Sequence, residues 1–583
     1  MKLRPWLITL SLLTIPTILS FFSGCSSNTQ TADLIVYNGK VIIVDADDTV
    51  AEAMAIRGEK ILRVGSDDEI LALKDSATEV IDLEGKAVLP GLIDSHTHPA
   101  GASMFEFDHE LPDMRTIEDV LNYVRLQAGT VADKDWIVLE QIFITRLKEQ
   151  RYPTRAELDL AAPNNPVIFR TGPDASMNSL ALEHFKIDKD FEAPPGSKIE
   201  KRPGTGEPTG IIRGWGSIIK IPSTGRTPTD QDRYDRFGLL IADYNSVGIT
   251  SIADRSTSEA SMALYKKMRD QGDLTVRVSM SRHVGYTGSI EDIEGEIKNI
   301  AQEPLFKDGD SMLKTVGVKM FLDGGMLTGS AYMREPWGVS QIYGIDDPEY
   351  RGIRFMTDEK LLPAVRACVE NGLQFTAHSV GDGAVHALID AYETVAKETP
   401  IRATRPNITH SNFMSQEAVD RMARLGISAD IQPAWLYLDT RTLSTQFGYD
   451  RMAYFQPLRS LFDAGVMVGG GSDHMQKIGS FRSVNPYNPF LGMWVAITRK
   501  ARGYEGQLHP EQALTRMEAI RFYTLNNAYL LFQEEKTGSL EAGKLADFII
   551  LDRDILSCPE DEIKEITVGR TYLNGQIAYS ANP

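Results

Sequence analysis

Cysteine is scarce in this chain of 583 residues, and its three copies, Cys25, Cys368 and Cys558, lie far apart. No two of them have the Cys-x-x-Cys spacing of a zinc ribbon or a redox motif, so no cysteine-based metal site is indicated. A disulfide between Cys368 and Cys558 stays possible, although no feature of the sequence supports it.

The chain also lacks an excess of positive charge. It has 61 Lys and Arg against 80 Asp and Glu, a formal net charge of -19. Nucleic acid is therefore not an expected partner, because phosphate binding needs clustered basic side chains. A G-x-S-x-G elbow is absent too, which excludes the usual serine hydrolase site. The length allows a large core and more than one structural unit.

The N-terminus has the pattern of an export signal. Lys2 and Arg4 precede the apolar run "PWLITLSLLTIPTILSFF", and "FSGC" follows it. Small residues directly before Cys25 resemble a bacterial lipobox. We expect residues 1–24 to be removed, Cys25 to carry lipid, and 25–32 to tether an exported protein to the extracytoplasmic side of a cell-envelope membrane. A plain signal peptide or an N-terminal membrane anchor is the alternative.

Both ends of the remaining chain are rich in short β-strand patterns. "DLIVYNGKVIIVD" places two such runs around Asn38-Gly39, and "ITVGRTYLNGQIAYS" places two around Asn574-Gly575; each pattern predicts a hairpin. "AMAIRGEKILRVG" repeats the pattern around Gly58. One economical arrangement is a single β-sandwich built from residues 33–88 and 536–583.

The middle of the chain, 89–535, alternates buried apolar runs with helical patterns such as "EKLLPAVRACVENG". Gly372 and Gly426 stand where helix C-terminal caps are expected. Alternation of this kind is typical of parallel βα units, and the length suits one closed (β/α)8 barrel of the TIM type with insertions. The Pro- and Gly-rich segment 192–216 is expected to be a loop near the active face.

The stretch "PGLIDSHTHPAG" places His96 and His98 one residue apart where a buried strand stops. Residues i and i+2 of a strand point to the same face, so both imidazoles project together. A pair of metal ligands is one interpretation and coincidence is the other, since the motif alone is weak.

Other ligand-type residues follow later apolar runs. In a βα barrel, catalytic groups come from the carboxyl ends of different strands. Imidazoles and a carboxylate there suit a divalent ion, zinc above all. Each residue alone has an ordinary structural explanation, and their joint occurrence is what favours a site. The candidates at these ends are Lys319, Asp323, His378, His410 and Asp473.

Four stretches, "LPGLIDSHTHP", "FTAHSVGDGAV", "GGGSDH" and "KTGSLEAGKLADFIILDRD", together resemble the amidohydrolase superfamily, most closely its amidohydrolase-3 branch of YtcJ-like proteins. The resemblance covers nearly all of the chain after residue 32. It implies a metal-dependent, distorted TIM barrel flanked by a β-sandwich that both termini form.

The resemblance also implies roles for individual residues. His96 and His98 would bind a first metal, and Asp473 would contact that metal and the attacking water. Lys319 would become a carbamate that bridges two ions, with His378 and His410 on the second. Asp323, His474 and Asn178 are weaker candidates for substrate contacts. The sequence departs from the branch at "TGPDASMNSLAL", which has no histidine, at Thr409 and at "GSDHM".

We expect a hydrolase that acts on a small molecule and cleaves a carbon–nitrogen bond other than a peptide bond, in an amide, cyclic amide or N-acyl compound. One or two divalent ions would activate the water, and Asp473 would move the proton. Deamination and ester or lactone hydrolysis are alternatives at the same site, and a non-catalytic, lipid-tethered binding protein is a third. The oligomeric state stays open, a homo-oligomer included.

Overall fold

The computed structural model describes residues 31–220 and 225–581. The signal segment 1–24, Cys25 and the tether up to residue 30 lie outside the described residues. No helix in the described ranges combines the length and the apolar character that a membrane crossing requires.

The strands of the described chain belong to four sheets. In chain order they are β1 (Leu34–Tyr37), β2 (Lys40–Ile42), β3 (Val50–Ala51), β4 (Ala53–Arg57), β5 (Lys60–Gly65), β6 (Glu79–Asp82), β7 (Ala87–Pro90), β8 (Leu92–Thr97), β9 (Ile137–Leu139), β10 (Val167–Thr171), β11 (Asp174–Met177), β12 (Lys198–Lys201), β13 (Pro208–Arg213), β14 (Ile249–Thr257), β15 (Arg277–His283), β16 (Leu313–Phe321), β17 (Gln374–Ser379), β18 (Asn407–His410), β19 (Ser428–Ile431), β20 (Val468–Gly470), β21 (Phe548–Leu551), β22 (Val568–Leu573) and β23 (Gln576–Ser580).

The α-helices fill most of the connections between strands. They are α1 (Asp67–Leu71), α2 (Pro99–Met104), α3 (Ile117–Ala128), α4 (Arg155–Ala161), α5 (Ser179–His184), α6 (Asp230–Ser246), α7 (Glu259–Gln271), α8 (Ile290–Ile300), α9 (Pro304–Lys307), α10 (Asp358–Glu370), α11 (Asp382–Ala396), α12 (Gln416–Leu425), α13 (Pro433–Arg451), α14 (Leu458–Asp463), α15 (Pro489–Thr498), α16 (Arg516–Phe522) and α17 (Leu525–Leu530).

Eight parallel strands form the central sheet, in the order β20-β19-β18-β17-β16-β15-β14-β8. Its two ends meet, because the Asp473 amide donates to the His96 carbonyl at 2.8 Å and the His98 amide donates to the His474 carbonyl at 2.8 Å. The sheet is therefore a nearly closed, distorted TIM barrel, as the sequence predicts. The strands are almost continuously apolar or buried, as expected for a parallel sheet covered by helices.

The two chain termini share one sheet beside the barrel. β21 pairs with β7 antiparallel, so the C-terminal strands β21–β23 extend a sheet that also holds β2 and β3. A second, four-stranded sheet of β5-β4-β1-β6 packs against it through side chains such as Val36, Met54, Val88 and Phe548. This pair of sheets is the β-sandwich of the expected fold.

The turn at Asn38-Gly39 is not a hairpin, and that prediction was wrong. β1 pairs with β4 and β6, whereas β2 pairs with β3 and β7, so the turn carries the chain from one sheet to the other. The local turn signal is real, with Asn38 at φ 58°, but burial of both flanking strands in different sheets decides the pairing. The turns at Gly58 and Asn574-Gly575 do close hairpins, β4–β5 and β22–β23.

The segment 192–216 is not a plain loop either. It contains the antiparallel pair β12–β13, which forms one side of a five-stranded sheet, β12-β13-β11-β10-β9, outside the barrel. "WIVLEQIF" and "NPVIFRTG" belong to this sheet and not to the barrel. Arg213 ties the sheet to the chain that follows β16, since its guanidinium donates to the carbonyls of Thr328 and Tyr343.

Helix ends follow the sequence signals. Thr229 and Ser289 cap α6 and α8, each in a reciprocal hydrogen bond with the acidic residue three positions later. α12 ends at Leu425 with Gly426 at φ 72°, and α10 ends two residues before Gly372 at φ 75°. Cys368 is buried on α10 and Cys558 is half-buried; both are free thiols.

Candidate metal centre

Three side chains converge where β8 and β20 meet. The Nε2 atoms of His96 and His98 are 3.3 Å apart, and Oδ1 of Asp473 lies 3.4 Å from the first and 3.2 Å from the second. Ligand atoms held tetrahedrally about 2.0–2.1 Å from a zinc ion are about 3.3 Å from one another. The triangle therefore fits a divalent ion, with a fourth position left for water or substrate.

The closure of the barrel brings these ligands together. His96 lies near the end of β8, and Asp473 follows β20 by three residues in a left-handed conformation with φ 54°. Gly471 passes directly over β8, where a Cβ atom would lie 2.9 Å from the His96 nitrogen. A larger residue at this position would push the Asp473 turn away from the two histidines.

A carboxylate below the cluster orients His96. Asp430, on β19, lies 2.8 Å from Nδ1 of His96 and also accepts hydrogen bonds from Asn407 at 2.7 Å and Thr409 at 3.0 Å. An ionised carboxylate only accepts, so Nδ1 carries the proton and Nε2 keeps its lone pair for a metal. Burial lowers the pKa of His96 well below its ordinary value, which favours the neutral ring that a metal requires.

Sequence reasoning missed Asp430, although "GISADIQP" places a carboxylate within a buried strand, which is a rare position for an unpaired charge. Sequence reasoning also left His283 out of the candidate ligands. His283 is the last residue of β15, in register with Lys319 on β16, and its Nδ1 lies 3.1 Å from the Ser256 hydroxyl. Its position at a strand end was the available signal.

Lys319 lies inside the barrel on β16. Its side chain is fully buried, and its Nζ has no hydrogen-bond partner among the residues that the structure describes. Burial lowers the pKa of this amine to about 7, while Asp430 and Asp473 oppose the shift. An unpaired buried amine is costly and needs an explanation, and the neutral form is the one that can add CO2.

His378 and His410 come from the next two strands, and their ring centroids are 4.5 Å apart. Nε2 of His378 lies 3.2 Å from the Gly324 carbonyl, and Nδ1 of His410 lies 2.7 Å from Oε1 of Gln432. Burial lowers the pKa of His378 to about 3, so this ring is neutral. In the described ranges His378 and His410 do not belong to a second cluster of three possible ligands. The His410 ring lies next to the first cluster, since it stacks on His96 with centroids 4.8 Å apart.

The three weaker candidates for substrate contact, Asp323, His474 and Asn178, all make hydrogen bonds within the protein. Asp323 is buried and accepts the backbone amides of Tyr332, Val380 and Gly381, which links the chain after β16 to the chain after β17. The His474 ring is bonded to the Tyr244 hydroxyl at 2.6 Å and to backbone carbonyls of 476 and 477. Asn178 caps α5 in the outer sheet, where its amide also bonds the backbone of 165 and 167.

A nearly closed parallel barrel with two histidines and an aspartate at its carboxyl end defines the class of metal-dependent TIM-barrel hydrolases. The model of the amidohydrolase family matches residues 79–579. The chain belongs to this family and is a hydrolase that acts on carbon–nitrogen bonds.

Curated relatives match along most of the chain. It is 28% identical over 564 residues to N-substituted formamide deformylase of Arthrobacter pascens, which covers 94% of this chain and 99% of that protein. It is 25% identical over 514 residues to the putative amidohydrolase YtcJ of Bacillus subtilis, with 86% and 90% covered. An uncharacterized metal-dependent hydrolase from Pyrococcus horikoshii superposes with a TM-score of 0.64 at 22% identity, over 91% of this chain and 99% of that one. The last comparison supports the fold.

Proposed function

We propose that this amidohydrolase releases an amine from an N-formyl or other N-acyl compound, or opens a cyclic amide, by adding water to the carbonyl carbon. The observation that carries the proposal is the triangle of His96, His98 and Asp473, whose edges of 3.2 to 3.4 Å fit one catalytic ion. Similarity to a formamide deformylase over 94% of the chain supports an amide as the substrate.

The ion, for which we propose zinc, would polarise the carbonyl and lower the pKa of the attacking water when bound. Asp473 moves the proton: its carboxylate accepts one from water and returns it to the leaving nitrogen as the carbon–nitrogen bond breaks. Burial raises the pKa of Asp473, which suits a group that must hold a proton between these two transfers. Asp430 keeps His96 in the tautomer that offers Nε2 to the ion.

A second ion is part of the proposal. Lys319, once carboxylated, would offer two anionic oxygens between the ions, and His378 and His410 would hold the second one. The buried, unpartnered Nζ of Lys319 supports this role, because CO2 addition turns an orphaned amine into an anion with ligands to offer.

A substrate panel tests the function. Metal-loaded enzyme is offered an N-formyl amine, an N-acetyl amine, a cyclic amide, an aminopurine nucleoside and a lactone, and the released amine, ammonia or acid is measured. We expect amine release, lost on chelation and restored by zinc. Ammonia or lactone-derived acid as the main product would instead support the alternatives of deamination or ester hydrolysis.

His96→Ala is the matching variant. It should lower kcat/KM and the affinity for the first ion by about 100-fold or more, since removing even an outer partner of a ligand costs about 10–100-fold. His184→Ala, at an exposed position on α5, removes an imidazole far from the cluster and is the control. Turnover that survives thorough chelation would overturn the metal-dependent mechanism.

We also propose that the protein is exported and lipid-anchored through Cys25. The support is the basic, apolar and small-residue pattern of 1–25 in the sequence. Cys25→Ser should abolish incorporation of a labelled fatty acid while leaving the amidase activity of the extracted protein unchanged, because Cys25 precedes β1. Wild-type protein that is mature and unlipidated would contradict the proposal.

A further inference from the structure

A cavity of about 1280 Å³ lies at the carboxyl-terminal end of the barrel. Three of its walls are chain segments that follow barrel strands: 104–115 after β8, 438–442 on α13 after β19, and 476–486 after β20. These strands also carry His96, Asp430 and Asp473 or lead directly to them. The cavity therefore lies on the same side of the barrel as these three residues, although none of them lines it.

A short hydrogen-bonded chain joins the cavity wall to the ligand cluster. Arg146 lines the cavity, and its guanidinium donates to Oδ1 of Asn485 at 3.3 Å. The Asn485 amide donates in turn to the Asp473 carbonyl at 2.9 Å. The volume exceeds the roughly 300–1,000 Å³ of ordinary small-molecule sites, so the cavity has room for much more than an amide group.

The cavity is basic although the protein is acidic. Nine Lys and Arg side chains line it against three Asp and Glu, in a chain whose net charge is -19. Six of the nine form ion pairs with carboxylates, as Arg146 does with Asp439 at 3.0 Å. The other three, Lys148, Arg441 and Arg502, have no ion pair within the part of the chain that the structure describes.

Arg441 and Arg502 lie together at the rim. Cδ of Arg441 would be 3.5 Å from a Cβ on Gly503, the residue after Arg502. The Arg502 amide donates to the Tyr437 carbonyl at 2.8 Å, one helical turn before Arg441. Both side chains are exposed and lack a carboxylate partner within the described chain, so a bound carboxylate can accept charge-assisted hydrogen bonds from them.

Helix α13 connects Arg441 to Trp435, which contacts one of the candidate metal ligands. The ring of Trp435, in the first turn of α13, stacks on His410 with centroids 4.8 Å apart. Arg441 comes six residues later, which is about 9 Å along a helix at 1.5 Å per residue. Apolar side chains including Phe143, Leu438 and Phe481 also line the cavity.

We infer that Arg441 and Arg502 bind a carboxylate at the far end of the substrate, so that the enzyme prefers N-acyl or N-formyl compounds whose amide and anionic group are separated by an apolar linker. This inference rests on the proposed amide hydrolysis.

The test compares two substrates that differ only in their last group, N-formyl-6-aminohexanoate and N-formylhexylamine. Wild-type kcat/KM should be about 10–100-fold higher for the carboxylate, the worth of one or two charge-assisted hydrogen bonds. The double variant Arg441→Met/Arg502→Met should lose this preference through KM and keep its rate on N-formylhexylamine. Arg57→Met, an exposed arginine on β4 in the sandwich, removes one charge elsewhere and should change neither value.

Binding provides a measurement that does not depend on turnover. Calorimetric titration should show hexanoate binding to metal-loaded wild type, weakened about 10-fold or more in the double variant and at high salt, with hexanol binding equally to both. Equal kcat/KM for the two substrates in wild type, or a preference retained in the double variant, would overturn the inference. If neither substrate is hydrolysed, the amidase proposal fails, and hexanoate binding alone decides whether the anion site exists.

Discussion

His96 and Asp430 determine the chemistry of the cluster at the scale of single residues. The 2.8 Å contact between Nδ1 and the carboxylate fixes the tautomer, and three further donors hold the carboxylate in place: Asn407, Thr409 and Gln432. The arrangement explains why a carboxylate is buried beneath the neutral imidazole of His96. Asp430 would aim Nε2 of His96 at an ion, and it is not one of the three side chains that converge as ligands.

Asp430→Asn tests that role. An amide at this position can donate to Nδ1 and so favour the wrong tautomer, and we expect zinc affinity and kcat to fall about 10–100-fold. Competition with a chelator measures the affinity, and elemental analysis measures the bound metal. Asp174→Asn, which alters another buried carboxylate in the outer sheet, should leave metal affinity unchanged. Unchanged affinity in Asp430→Asn would show that His96 needs no orienting partner.

Lys319 distinguishes two ions from one. Lys319→Ala should reduce bound metal from about two ions per chain to about one, because the bridging anion is lost. A short carboxylic acid added to this variant should restore part of the activity by taking the bridging position. If the site holds a single ion, the variant keeps it, and added acid has no effect.

The pH dependence of the carbamate follows from the pKa of Lys319, which burial lowers to about 7. Only the neutral amine adds CO2, and its fraction rises as pH rises through 7. At equal dissolved CO2, the carbon-13 carbamate signal should therefore be stronger at pH 8 than at pH 6, and absent in Lys319→Ala. A signal that falls over this range would contradict the assignment.

At the scale of elements, the ends of neighbouring strands depend on one another. Both oxygens of Asp323 accept amides of the chain after β16 and of the turn that follows His378 on β17. The residue was expected at a strand end, and it lies two residues after β16. Besides these backbone amides, its Oδ1 lies 3.8 Å from Nε2 of His378. Burial raises its pKa to about 8, opposed by these three donors.

Asp323→Asn should reveal positioning and not substrate contact. The new NH2 group faces an amide donor, which leaves buried groups unpaired and costs about 1–3 kcal/mol of unfolding free energy. We expect a lower urea midpoint and a lower kcat, as His378 loosens, with KM nearly unchanged. A large rise in KM at constant kcat would instead assign Asp323 to the substrate.

At the scale of the whole molecule, one buried ion pair joins the barrel to the terminal sandwich. Arg277, at the start of β15, contacts Asp547 just before β21 through two hydrogen bonds of 2.6 and 2.8 Å. Both side chains are almost fully buried. The Asn574 amide donates to the same carboxylate at 2.9 Å, so three segments that are distant in sequence meet at this point.

Arg277→Met leaves the Asp547 carboxylate buried and unpaired, and the expected cost is about 3–5 kcal/mol. Asp547→Asn removes the negative charge of the pair and leaves the Arg277 guanidinium without its carboxylate partner. The double variant should be clearly less destabilised than the two single effects combined, because neither charge is then left alone. Urea unfolding of the four proteins measures this, and strictly additive effects would mean that the pair does not couple the sandwich to the barrel.

The sequence by itself determined the alternation of buried strands and helices, and with it the barrel class. Both can be inferred from local hydrophobic periodicity, from turn residues and from helix-capping residues such as Gly426. Tertiary structure alone decided which strands pair: the same Asn-Gly signal closes a hairpin at 574–575 and joins two different sheets at 38–39, because pairing depends on distant strands such as β6 and β21. The triangle of His96, His98 and Asp473 likewise exists only because β20 closes on β8 across some 370 residues of chain, and no local pattern records a contact between segments so far apart.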